Sequence, residues 1–134
     1  MKTYFVVTGV LKYKGKILAL QKSDDDYNYP SKWSLVSGYV KEFESAQETI
    51  VREIKEETGL FGKIIGKGKL IEVKDFKKKK HWVIMVFLCS VKSDKINLCK
   101  ENQRFKWIYP KEIYSLDCVP GLAKDLKVLG LIKK

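Results

Sequence analysis

The chain has 134 residues, of which 45% are hydrophobic and 12% aromatic, and 27 Lys and Arg against 16 Asp and Glu give a net charge of +11. That size and composition fit one folded domain over residues 1–134, with a core that needs no disulfides, and argue against disorder. No apolar run approaches the roughly 18 residues of a membrane span, and three cysteines (Cys89, Cys99, Cys118) without C-x-x-C spacing make neither a disulfide framework nor a zinc site.

Tyr4–Lys12 is rich in β-branched and aromatic residues and reads as a strand. Tyr13-Lys-Gly15-Lys is a turn, and Ile17–Lys22 closes a hairpin. Ser23–Lys32 is a loop, and Trp33–Val36 a short buried stretch. Ser45 with Glu48 three residues on forms a capping box, which predicts a helix to about Thr58, stopped by Gly59 in the left-handed conformation. Lys63–Val73 reads as one strand and Lys77–Lys80 as a solvated hairpin loop. His81–Val91 has the long apolar run of a central strand, and Lys106–Ile108 is a last strand. Pro110 opens a short helix, and Gly121–Leu131 is an amphipathic helix with Leu122, Leu126 and Leu129 inward. The order β-β-α-β-β-β-α predicts an α/β or α+β fold with a mixed sheet and flanking helices.

Within the predicted first helix and its approach, residues 38–60 hold six acids against three bases, so this segment carries −3 and the rest of the chain +14. On a helical wheel Glu53, Glu56 and Glu57 project within an arc of about 100°, beside an apolar wedge of Ile50, Val51 and Ile54. Like charges at this spacing repel. A hard divalent cation, Mg²⁺ or Mn²⁺, turns that repulsion into coordination.

The full spacing is Gly38, five residues, Glu44, seven residues, then Arg52-Glu53-Ile54-x-Glu56-Glu57-x-Gly59-Leu60. It resembles the Nudix box of the MutT-like pyrophosphohydrolases. Trp33, five residues before Gly38, and Arg104–Ile108 resemble flanking features of the same family. The resemblance implies a Nudix-type α/β/α sandwich. It also implies an enzyme that hydrolyses a nucleoside diphosphate linked to a further moiety. The expected substrate is a nucleoside triphosphate, oxidised or non-standard ones included, cut to monophosphate and pyrophosphate. ADP-ribose, other ADP-sugars or dinucleoside polyphosphates are variants of that substrate. An enzyme acting on RNA 5′ pyrophosphates and a non-catalytic nucleotide- or RNA-binding module are the alternatives.

Carried over residue by residue, Glu53 and Glu57 are the primary metal ligands, with Glu56 and the Gly38 carbonyl as further ligands. Glu56, Glu53 and Glu101 are the candidates for the catalytic base, Arg52 holds a box carboxylate, and Glu44 pairs with Arg52 or reaches the metal. Two positions depart from the family pattern: Ser37 and Phe43 stand where glycines are usual. A non-glycine at a position needing positive φ is strained. Tyr29, Trp82 and Phe105 are candidates to stack on a base, and Asn102 to read its edge. The only histidine, His81, reads as structural. The lysines suit an anionic substrate, with RNA the lesser expectation. The start shows no secretory leader, so a cytoplasmic location is expected, while the oligomeric state is open between monomer and homodimer.

Overall fold

A computed structural model describes residues 1–133. Strand β1 (Lys2–Tyr13) is the spine of the molecule. It runs parallel to β7 (Lys80–Ser90) from Lys2↔Lys80 to Lys12↔Ser90, which makes the sheet mixed. Its first half pairs antiparallel with β4 (Val36–Tyr39), and its end turns into β2 (Lys16–Lys22). Beyond β2 lie β3 (Trp33–Ser34) and β8 (Asn102–Ile108). On the other side of β7 pair β5 (Lys63–Lys67) and β6 (Ile71–Asp75).

Side chains alternate across each strand, so the sheet has two apolar faces. Val7 and Leu11 of β1 and Phe87 and Cys89 of β7 pack under helix α1 (Ala46–Thr58). Val10 and Val86 point the other way, to Leu122 and Leu126 of helix α2 (Leu122–Val128) and to Ile113 of the 3-10 helix Pro110–Ser115. Helix, sheet and helix are thus stacked in three layers, as expected. No helix among the described residues is long and apolar enough to cross a membrane.

The structure corrects several sequence boundaries. Lys63–Val73 is two strands, because after Gly68, whose amide still donates to the Val86 carbonyl at 2.9 Å, the chain leaves the ladder and re-pairs with β7 at Ile71↔Ile84. The stretch after Trp33 divides into β3 and β4, which pair with different partners, β2 and β1. The last strand begins at Asn102, since β2 offers a partner along its whole length. Helix α2 ends at Val128, leaving Leu129 at its cap and only partly buried.

Before α1, a turn is closed by the Glu44 amide donating to the Lys41 carbonyl at 3.0 Å. Its third residue, Phe43, has φ 64° and a side chain that is 97% exposed. A phenylalanine held in the left-handed region costs roughly 1–2 kcal/mol, and no packing offsets it. We predict that Phe43→Gly raises the thermal midpoint by about 2–4 °C, once the greater chain entropy of glycine is set against the relieved strain. A lower midpoint in a melting scan contradicts the strain.

Candidate active site

Helix α1 starts cleanly, because the Glu48 amide donates to Ser45 Oγ at 3.1 Å and the Ser45 amide to Glu48 Oε1 at 3.0 Å. It stops at Gly59 with φ 78°. Between these ends Ile50 and Ile54 are fully buried against the sheet. Their burial draws the acidic edge of the helix onto β4. A Cβ on Gly9 would lie 2.7 Å from Ile50 Cδ1, and one on Gly38 would lie 2.6 Å from Glu53 Oε2. The Glu53 carboxylate therefore rests on bare backbone, and any side chain at position 38 displaces it.

One guanidinium organises the acids. Arg52 donates from Nε and Nη2 to Glu44 at 2.8 and 3.0 Å, and from Nη1 to Glu53 Oε1 at 2.7 Å and Glu56 Oε2 at 3.2 Å. Such a fork is worth more than separate ion pairs because its geometry is fixed. Thr49 Oγ1 donates to Glu44 at 2.8 Å. Arg52 first, and Thr49 second, hold the Glu44 carboxyl down at about 2. Glu44 is thereby committed to Arg52, and Arg52 anchors Glu53 to the loop that begins the helix. The surface-type Arg52–Glu56 contact exists as well, but Glu56 is the most exposed of the three acids.

Glu57 is the anomaly. It is only 6% exposed, and its Oε2 is buried with no hydrogen-bond partner. Burial pushes its carboxyl well above the ordinary range, helped by its hydrogen bond to Glu53 and by the charges of Glu53 and Glu101, with Lys22 pulling the other way. Glu53 is pushed up too, by burial first. A buried carboxyl and a half-buried one in contact oppose ionisation of both. A partnerless buried oxygen costs about 1–3 kcal/mol, and a cation removes both penalties at once.

The residues present fit a hard divalent cation. The donors are all oxygen, one of them is orphaned, and Glu53 lies against the Gly38 backbone. Side chains alone do not complete a shell, since no three acidic, histidine or cysteine groups converge as a metal cage among the described residues.

Gly38, Arg52, Glu53 and Glu101 line one cavity of about 970 Å³, and Tyr29 and Trp82 line it as well. Glu57 and Glu56 lie outside that lining, Glu57 buried and Glu56 exposed. Glu44 is outside the lining too, and of the four base-contact candidates two are not brought there. Phe105 sits opposite Leu20 in the β8–β2 pair, and Asn102 is buried at the turn where its amide meets the Cys99 carbonyl at 3.3 Å. His81 Nε2 lies 3.3 Å from Glu72 Oε1, away from this cavity. Lys22 and Asp125 line the cavity and were not singled out from sequence. For Asp125 a signal existed: an acid three residues after Leu122 falls on the inward stripe of α2.

The NUDIX domain profile matches residues 3–127. The nucleoside triphosphatase NudI of Escherichia coli O139:H28 is 25% identical over 141 aligned residues, which cover 98% of this chain and all of that one. The crystal structure of a MutT protein from Methanosarcina mazei Go1 superposes with a TM-score of 0.78 at 25% identity, over 92% of this chain and 89% of its own. A C. elegans Ap4A hydrolase shares the fold, with a TM-score of 0.72 at 20% identity over 97% and 96% of the two chains. With the box spacing, the sandwich and the profile in agreement, the chain belongs to the NUDIX family and is a pyrophosphohydrolase acting on nucleoside diphosphate derivatives.

Proposed function

We propose that this chain hydrolyses a nucleoside triphosphate to the monophosphate and pyrophosphate, with Mg²⁺ or Mn²⁺. The observation that carries the reading is the buried Glu57 with its orphaned oxygen, next to Glu53, which Arg52 ties and Gly38 backs beside a nucleotide-sized cavity. Full-length similarity to proteins named nucleoside triphosphatase supports the choice of substrate.

Glu53 and Glu57 would hold the cation, with Glu56 and the Gly38 carbonyl completing the protein's share. Bound there, the cation neutralises phosphate oxygens and acidifies the attacking water. The chain's own residues do the rest. Water adds to a phosphorus of the bridge, the bridging P–O bond breaks, and pyrophosphate leaves. Arg52 keeps Glu53 and Glu56 from swinging away, so little reorganisation is needed as charge develops. Lys22 and Lys41 line the cavity and supply positive charge toward the leaving phosphates. Glu56 and Glu101 are assigned as the groups placed to take the water's proton, because both are exposed, whereas Glu57 is buried.

The test is a product assay on natural nucleoside triphosphates, 8-oxo-dGTP, ADP-ribose and a dinucleoside tetraphosphate, with Mg²⁺ and with chelator. We expect Mg²⁺-dependent release of monophosphate and pyrophosphate from a triphosphate. Silence across the panel from folded protein contradicts the reading. Glu57→Gln is expected to lower kcat by at least about 10²-fold with the fold intact. Near-normal turnover in that variant removes Glu57 from the metal site.

Gly38→Ala tests the backbone approach separately. Displacing the Glu53 carboxylate by about an ångström is expected to cost roughly 10- to 100-fold in kcat, with circular dichroism unchanged. Unchanged kcat shows that Glu53 relaxes freely at that position.

A further inference from the structure

We infer that Asp125 is the specificity residue of the site, pairing with the N–H edge of the nucleotide's base. This rests on the nucleotide reading above and adds the end of the cavity that the phosphates do not occupy. Asp125 sits on α2 one turn beyond Leu122, whose side chain is buried, and it lines the same cavity as Gly38, Arg52 and Glu53. Among the described residues its carboxyl has no hydrogen-bond or ion-pair partner.

Burial pushes the Asp125 carboxyl up to about 7, and Lys124 is the one charge that pulls it back. An isolated acid in such a place is costly unless a ligand supplies donors. Its surroundings suit a flat ring. Leu35, Ile71, Ile84 and Leu122 line the cavity with apolar surface, and Trp82 lies on the same face of the sheet. A mostly apolar pocket with one placed polar group is the ordinary form of a small-molecule subsite.

The register sets the scale. From Gly38 the sheet runs β4, β1, β7, β6, with Gly38 opposite Val7 and Ile84 opposite both Val6 and Ile71. Three strand spacings make about 14 Å, the span of a nucleotide and not of a phosphate alone. Leu122 and Leu126 share one core cluster with Ile71 and Val86, and a Cβ on Gly68, just before β6, would lie 2.7 Å from Val128 Cγ2, so α2 lies on the β6–β7 side. Phosphates held near Gly38 therefore leave the base near Asp125. The loop carrying Asn28 and Tyr29, whose amides donate to Asp26 Oδ2 at 3.2 and 2.9 Å, also lines the cavity.

The experiment measures kcat and KM for ATP, GTP, CTP and UTP on wild type, Asp125→Asn and Asp125→Ala. It also measures binding of the four monophosphates by calorimetry without metal. Asparagine keeps the shape and exchanges one acceptor for a donor, so the ranking of bases is expected to change by about 10- to 100-fold. The change should fall in KM, and the monophosphate affinities should shift in the same order. Base ratios within twofold of wild type in both variants and both assays overturn the assignment, as does a wild type that binds no monophosphate. Wild-type inactivity on every triphosphate, with base-dependent monophosphate binding that Asp125→Asn alters, refutes the triphosphate reaction and leaves Asp125 standing.

Discussion

The structure turns on two carboxylates kept where carboxylates are expensive. Glu53 and Glu57 lie one helical turn apart, Glu53 against Gly38 of β4 and Glu57 buried beside it, and burial raises both. Ile50 and Ile54 supply the force that puts them there, since apolar burial at about 25 cal/mol per Å² fixes the helix against β1. Gly9 and Gly38 then set how closely it docks. The apolar stripe of α1 and the chemistry of its acidic edge are therefore one design, and neither can shift without the other.

Arg52 makes the arrangement rigid. It spends its donors on Glu44, Glu53 and Glu56, and Glu44 is further held by Thr49. Glu44 therefore ties the loop before the helix to the carboxylate at the cavity. The strained Phe43 sits next to this anchor. Around it, lysines make the rest of the chain strongly positive, which favours the approach of a polyphosphate.

Local rules were legible in the sequence. The capping box, the Gly59 stop and the arc of acids needed only helical geometry and cap chemistry, and they lie where expected. Phe43 in a glycine position was legible as strain, and its φ is positive. What was not legible depends on pairing between distant segments. Gly68 weakens the strand pattern but does not fix the break, which follows from how β6 re-registers on β7. Phe105 and Asn102 looked available near Glu101, yet their places are fixed by the pairing of β8 with β2. Asp125 had a signal on the inward stripe of α2, but its place in the cavity follows only from the tertiary packing of that helix.

The most direct test of the account is Mn²⁺ binding, followed by the loss of the free-ion signal in electron paramagnetic resonance. Metal-free wild type and Glu57→Gln would be compared, both shown folded by circular dichroism. The account predicts that wild type takes up Mn²⁺ and that Glu57→Gln binds it at least about tenfold more weakly, a loss of about 1.4 kcal/mol. Equal affinity in the two proteins would mean that the buried pair is not the cation site.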